Sequence, residues 1–299
     1  MTKKPKIIAV VGPTSGGKTG VAIEIARKIG GEIISTDSRQ IYRGLNIGAG
    51  KVTKTEMRGV PHHLLDIAGP KSTVSVAQYQ KLAMQEVRDI LRRGKTPILC
   101  GGTGLYVDAI LTGQSFPAVP PNQELRKKLA KLSAAELFKK LEKLDPIRAT
   151  NIDAKNPHRL IRAIEIATSL GKVPALAPKE TLYDSLVIGL NLPHEELQAR
   201  VHTRLVVRLR KGMIAEAKRL HREGLSWKRM EALGLDYRYL ARFLQGKISK
   251  QEMMHAIEKE SWLYAKRQMV WFKRNKNIHW FRYDEVSKIL ALTQNFINK

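Results

Sequence analysis

Eight consecutive residues, Gly12-Pro13-Thr14-Ser15-Gly16-Gly17-Lys18-Thr19, satisfy the spacing G-x-x-x-x-G-K-[ST]. Glycines at those places let successive backbone N–H groups converge on phosphate oxygens. The lysine adds a mobile cation, and the hydroxyl after it can coordinate Mg²⁺. This is chemistry for holding a phosphate or pyrophosphate, and it does not by itself specify a nucleotide. Asp37, in Asp37-Ser38-Arg39, is the next residue able to do chemistry. A carboxylate there could cap a turn, hold a metal, or act as general base on an acceptor close to a bound phosphate ester. The last use would make the reaction a group transfer.

A phosphate loop of this kind needs a strand before it and a helix after it. Lys6–Val11 is an apolar run ending at Gly12, the pattern of a buried parallel strand. Thr19–Ile29 carries Val21, Ala22, Ile25, Ala26 and Ile29 at helical spacing and stops at Gly30-Gly31. Glu32–Thr36 reads as a second strand, which puts Asp37 beyond a strand's carboxyl end, where ligands sit in open parallel sheets. Val74–Arg93 reads as a long amphipathic helix, and Pro97–Cys100 as a strand running into Gly101-Gly102. Strands alternating with helices predict a parallel α/β sheet. Pro117, Pro120 and Pro121 then break the chain, and Gln123–Lys143 reads as one charged helical stretch. A helix over Asn156–Leu170 and a strand over Leu186–Leu190 come next, and from His194 the pattern is almost all helical and basic. The predicted organisation is an α/β core from residues 1–117 and 156–299, a helical insertion over 118–155, and a basic helical C-terminal part.

The 299 residues include 53 Lys+Arg against 27 Asp+Glu, a net charge of +26. Residues 200–282 alone carry a net charge of +14. Such an excess opposes compaction and calls for a polyanionic partner, which favours nucleic acid. Hydrophobic residues at 43% exclude wholesale disorder. The single cysteine, Cys100, excludes an intramolecular disulfide and a cysteine-rich zinc site. The apolar runs are too short for a signal peptide or a membrane span. A soluble, cytoplasmic protein that makes no use of a membrane is expected.

Several segments together resemble one family, the tRNA dimethylallyltransferases. They are Gly12–Thr19, Asp37-Ser38-Arg39-Gln40-Ile41-Tyr42, the stretch from Gly59 to Ile67 with Pro61-His62-His63 inside it, Gly101-Gly102-Thr103-Gly104-Leu105-Tyr106, and the stretch from Asn156 to Glu165. Their order and spacing match over about residues 6–280. The resemblance implies a P-loop NTPase-like core and transfer of a dimethylallyl group from dimethylallyl pyrophosphate to N6 of adenosine 37, beside the tRNA anticodon. The phosphate loop, with Gly12, Thr14, Ser15, Gly16, Gly17, Lys18 and Thr19, would then hold pyrophosphate and need not hold ATP. Mg²⁺ is the implied cofactor, with Thr19 as its ligand. Asp37 matches the general base and Thr103 a position beside the target base. Ser38, Arg39 and Gln40 match the segment that touches the extruded nucleotide. Arg200 and Arg204, one helical turn apart, resemble arginines that approach the pyrophosphate. His158, Arg159, Leu160, Ile161 and Arg162, together with Tyr237 and Arg238, match further tRNA contacts, and the insertion is expected near the anticodon stem-loop. A monomer of bacterial type, without a zinc-finger tail, is expected.

Two departures from the family pattern stand out: Ser15-Gly16 where a small residue and serine are usual, and Asp236 where glycine usually precedes Tyr-Arg. His62-His63 reads as packing or a loop contact, because adjacent side chains on a strand point to opposite sides. Trp271, Phe272, Trp280 and Phe281, interleaved with Lys273, Arg274 and Lys276, read as a helix-packing stripe with a basic outer face. Asp66 could assist Mg²⁺ or be structural. The nearest rival function is an adenylate isopentenyltransferase acting on free adenine nucleotide, which has no need of the basic C-terminal third. A P-loop kinase or ATPase leaves Gly101–Tyr106 unaccounted for, and a non-catalytic RNA-binding protein leaves Lys18 and Asp37 without a task.

Overall fold

The computed structural model describes residues 4–174 and 182–299. In chain order the elements are β1 (Lys6–Val11), α1 (Lys18–Ile29), β2 (Glu32–Ser35), α2 (Lys54–Met57), β3 (His62–His63), α3 (Val76–Arg92), β4 (Pro97–Cys100), α4 (Gly104–Leu111), α5 (Gln123–Leu129), α6 (Ala134–Leu144), α7 (Pro146–Thr150) and α8 (Pro157–Leu170). They continue with β5 (Asp184–Leu190), α9 (His194–Arg210), α10 (Met213–Arg222), α11 (Trp227–Ala232), α12 (Leu235–Leu244), α13 (Lys250–Phe272), β6 (His279–Phe281) and α14 (Val286–Asn298). Two compact units result, one formed by residues 1–113 with 180–299 and the other by 114–179.

The first unit is built on a six-stranded sheet in the order β3-β2-β4-β1-β5-β6, with every neighbouring pair parallel. β1, β4 and the second half of β5 read as unbroken apolar runs because both faces are covered. Along β1, Ile7, Ala9 and Val11 enter the core beneath α3 and α10 to α13, whereas Ile8 and Val10 enter the core beneath α1 and α14. Ile7 and Ile8 are each fully buried, and each such side chain contributes about 1.5–3 kcal/mol through burial. The order reverses direction around β1 and β4, so their carboxyl ends open a crevice for a ligand.

The second unit is a helical cluster. Leu137 and Leu141 of α6 pack with Leu129 of α5 and with Leu160, Ala163 and Ile164 of α8. Its boundaries are wider than the predicted 118–155, because α8 shares this core and is not part of the sheet unit. The charged stretch predicted as one helix over 123–143 is two, since Ser133 starts α6 with a capping box in which Glu136 bonds back to the Ser133 backbone. The buried Glu165 organises one side of the unit, accepting hydrogen bonds from the Asn122 backbone at 2.6 Å and from Arg126 Nε at 2.9 Å, and pairing also with Arg162. Burial alone would raise the Glu165 carboxyl, but Arg126, the Asn122 amide and Arg162 outweigh it and hold the carboxyl at about 2.

The aromatic-rich segment is not one helical stripe. Trp271 and Phe272 close α13, while Trp280 and Phe281 lie in β6, a short edge strand paired with β5 at Gly189 and Leu190. Only three residues long, β6 offers no alternating run that would mark it in the sequence. No helix among the described residues is long and apolar enough to cross a membrane.

Candidate active site

A cavity of about 670 Å³ opens at the carboxyl ends of the strands, and it gathers residues from many separate parts of the sheet unit. The first is the phosphate loop. Gly12 has φ +140°, and a Cβ there would lie 2.7 Å from the Leu190 carbonyl oxygen, so the close passage of β1 past β5 requires glycine. Gly16 N–H closes the loop onto the Pro13 carbonyl at 3.1 Å, and Gly17, with φ +87°, leads into α1. No acidic side chain stands in the first turn of α1, so none of the helix's own carboxylates offsets its positive end. Thr14, Ser15, Gly17, Lys18 and Thr19 line the cavity, whereas Gly12 and Gly16 shape the loop behind it. Lys18 Nζ donates to the Pro13 carbonyl at 2.6 Å. Desolvation, the dominant influence, pushes Lys18 down to about 8; Cys100 and Asp37 oppose this and Arg204 adds to it.

Across the cavity, Asp37 lies just after β2. Its Oδ1 accepts the Arg39 backbone N–H at 2.8 Å and the Gln40 N–H at 3.4 Å, so part of the carboxylate caps its own turn. The capping and chemical readings of Asp37 are therefore compatible: the turn fixes Oδ1 and thereby orients the group that lines the cavity. Ser38, Arg39 and Gln40 also line it. Thr103 joins them through its Oγ1, which accepts the Ser38 backbone N–H at 3.2 Å, while its own N–H donates to the Thr36 carbonyl at 3.2 Å.

The arginines come from α9. Arg204 lines the cavity and donates to the Gly50 carbonyl at 3.1 Å, and burial, with Arg208 close by, pushes it below the usual guanidinium value. Arg200 does not line the cavity. Its guanidinium lies 3.6 Å from the centroid of the Tyr283 ring and pairs with Glu196 at 3.3 Å. The second arginine that α9 places on the cavity is Arg208, one turn further along, which donates to the Gly48 carbonyl at 2.7 Å and pairs with Asp236 at 3.1 Å. The i, i+4 spacing of Arg200, Arg204 and Arg208 was the available signal. Choosing among them depends on which way α9 rolls: Arg200 and Arg204 each directly precede a member of the buried stripe Leu197, Val201 and Leu205, so the stripe alone does not single one out.

Tyr237 is only 2% exposed, and its hydroxyl donates to Glu216 at 2.7 Å. Glu216, itself buried, also accepts the backbone N–H groups of Asn46, Ile47 and Gly48 at 2.8 to 2.9 Å. Tyr237 thus acts on the loop carrying the carbonyls that hold Arg204 and Arg208, and, although buried, it also lines the cavity. Arg238 lines the cavity. In the helical unit, Leu160 is fully buried in the core, and Arg162 is taken up by Glu165 and the Val119 carbonyl, so neither is a free surface contact. His158 and Arg159 are exposed on the first turn of α8, and Ile161 is half-buried.

Asp66 pairs with Lys51 and does not line the cavity, which makes it structural. His62 lines the cavity with Nδ1 on the Val60 carbonyl at 2.9 Å, while His63 bonds Glu32 at 2.7 Å, on the other side of β3. Among the described residues no group of three His, Cys, Asp or Glu side chains could hold a metal. The Thr19 hydroxyl, which lines the cavity, is the side chain that would hold Mg²⁺ there.

A phosphate-loop motif brought together with Asp37, Arg204 and Arg208 at the carboxyl edge of a parallel sheet defines an α/β protein of the P-loop kind. The IPP transferase family model matches residues 40–275, and the chain belongs to that family. It is 42% identical to tRNA dimethylallyltransferase 2 of Treponema denticola over 256 residues, covering 84% of this chain and 86% of the relative. The tRNA isopentenylpyrophosphate transferase of Bacillus halodurans superimposes with a TM-score of 0.76 at 33% identity, covering 99% of this chain and 97% of that one. A eukaryotic dimethylallyltransferase acting on tRNA shares the fold, with a TM-score of 0.83 at 24% identity over 98% of this chain and 80% of that one.

Proposed function

We propose that the chain transfers a dimethylallyl group from dimethylallyl pyrophosphate to N6 of adenosine 37 in tRNA, releasing pyrophosphate. The observation that carries the reading is the meeting of the phosphate loop, Asp37, Thr103, Arg204 and Arg208 in one cavity. The exocyclic amine of adenine is a poor nucleophile because its lone pair is delocalised into the ring. Asp37, oriented by its own turn, accepts the amine proton as nitrogen attacks the allylic carbon. The bond from that carbon to the pyrophosphate oxygen breaks, and Lys18, the loop N–H groups, Arg204 and Arg208 stabilise the departing charge. Mg²⁺, held by Thr19 and the pyrophosphate, would supply further charge neutralisation. Thr103, tied to Ser38, positions the base beside Asp37.

A base in a stacked loop is out of reach, so the nucleotide has to be extruded, at a cost of a few kcal/mol. Phosphate contacts by the net +14 of residues 200–282 offset that cost, which an enzyme acting on free adenine nucleotide would not need. The test is mass spectrometry of nucleosides after incubating the protein with dimethylallyl pyrophosphate, Mg²⁺ and either an anticodon stem-loop RNA or adenosine monophosphate. N6-isopentenyladenosine in the RNA alone is the expected result. Prenylation of the mononucleotide alone would transfer the reading to its rival.

A further inference from the structure

One side chain joins the two halves of the site. Gln268, on α13, is 5% exposed. Its Oε1 accepts the backbone N–H of Thr14 in the phosphate loop at 2.8 Å, and its Nε2 donates to the Gly102 carbonyl at 2.8 Å. Thr103 comes directly after Gly102 and is tied through Oγ1 to Ser38, next to Asp37. Neighbouring residues of α13 grip the same segment: Tyr264 sits beside Thr103, and Trp271 Nε1 donates to Asp108 at 2.9 Å. Tyr264, Gln268 and Trp271 are spaced i, i+4, i+7 and so form one face of the helix. Cβ atoms on Gly102 and Gly104 would run into Gln268 and Trp271, which explains why the segment Gly101-Gly102-Thr103-Gly104 is glycine-rich although neither Gly102 nor Gly104 has a left-handed φ.

We propose that Gln268 is a positioning residue that sets the separation between the pyrophosphate held by the loop and the acceptor base held beside Thr103 and Asp37. This rests on the function proposed above. Transfer requires the attacking nitrogen and the allylic carbon to meet at about 3–3.5 Å, and a misplacement of about 1 Å costs about 10²-fold. A single carboxamide, hydrogen-bonded at both ends and buried, is a short link between the two segments that hold the reactants.

The experiment uses the full chain with Gln268→Met, which keeps the length and loses both hydrogen bonds, and Gly102→Ala, which pushes the amide away from the other side. Expected for Gln268→Met are faster hydrogen exchange in both residues 12–19 and 101–104, kcat/KM lowered by about 10²-fold, and affinity for the anticodon stem-loop unchanged. Gly102→Ala should do the same, yet add little in a Gln268→Ala background, where the obstructing amide is gone. Exchange faster across β1 and β4 with unchanged turnover per folded molecule would mean general packing only and would overturn the inference, as would near-normal kcat/KM or strictly additive effects. If the wild-type chain fails to prenylate RNA, the functional reading falls by itself. Exchange in the two loops and calorimetric binding of inorganic pyrophosphate still decide whether Gln268 links them: faster exchange in both loops with weakened pyrophosphate binding in Gln268→Met supports the link, and wild-type exchange in either loop or wild-type pyrophosphate binding removes it.

Discussion

Thr103 Oγ1 accepts the backbone N–H of Ser38 at 3.2 Å, so the turn that begins at Asp37 and the loop after β4 are one piece of structure. Asp37 in turn spends Oδ1 on its own turn, which makes its two roles separable by substitution. Asparagine keeps an acceptor for the Arg39 N–H and loses the basicity; alanine loses both. Asp37→Asn should lower the single-turnover rate by about 10²–10⁴-fold, the usual contribution of a positioned base, with RNA affinity nearly unchanged. Asp37→Ala should lose the same rate and also loosen residues 38–40, visible as faster amide exchange. A full rate in Asp37→Asn would leave only the capping role.

Lys18 carries a pH signature. Desolvation holds its ammonium at about 8, below the ordinary 10.5. Binding a pyrophosphate requires the protonated form, so donor KM should rise as pH increases through about 8, while RNA affinity, which involves other cations, should not track it. For stability the sign is opposite: between about 8 and 10.5 the unfolded chain binds the proton more readily, so the Lys18 contribution to stability improves as pH rises across that window. Donor titrations from pH 7 to 9.5 check this; Lys18→Ala should bind donor weakly and show no break near pH 8.

Acid should loosen both units through buried carboxylates. Hydrogen bonding from Arg93, then from Lys95 and His63, holds Glu32 at about 2 in the sheet unit, and the arginines around Glu165 do the same in the helical unit. Each contributes stability that is complete above the unfolded value of 4.5 and is lost as pH falls through about 2. Glu165→Gln should destabilise the helical unit by about 1.5–3 kcal/mol, the range for hydrogen bonds to charged groups. Amide exchange in α5 and α8 at pH 7 would report it. Exchange as slow as in the wild type would mean that the Leu137–Leu160 core alone holds that unit.

The strands were legible because β1, β2 and β4 are short apolar runs ended by glycine or aspartate, and the phosphate loop because its eight residues are contiguous. Asp37 was legible from its place just beyond the carboxyl end of β2, whereas Thr103 was legible only through the family resemblance. The residues that escaped are those whose partners are distant in the chain. Glu216 looks like any helix-surface acid until the N–H groups of Asn46 to Gly48 arrive on it, and Gln268 like any polar residue in a helix until Thr14 and Gly102 flank it. Tyr237 and Leu160 show the converse: a motif fixes that a residue matters without saying whether its side chain faces a ligand or the core.

The basic C-terminal third divides into cations held by the protein and cations left to a partner. Arg229 belongs to the first kind: its Nε donates to the Pro70 carbonyl at 2.9 Å, its other end reaches the Ser72 carbonyl, and it lies over the Tyr42 ring. Lys228 is exposed beside it, and Arg238 lines the cavity. If these two neutralise tRNA phosphates, the logarithm of affinity falls with the logarithm of salt by about 0.7 per single-stranded contact and about 0.9 per duplex contact. Charge reversal at Lys228 and Arg238 should therefore flatten the slope by about 1.4 to 1.8, and leave donor KM almost unchanged for Lys228→Glu alone. Arg229→Ala should behave differently, lowering the melting temperature while keeping the wild-type slope, because its charge is spent on backbone carbonyls. The measurement is RNA binding across a salt series for the double reversal, Arg229→Ala and the wild type. Parallel lines for the double reversal and the wild type would show that Lys228 and Arg238 are only solvated, and a flattened line for Arg229→Ala would show that its guanidinium still reaches a phosphate.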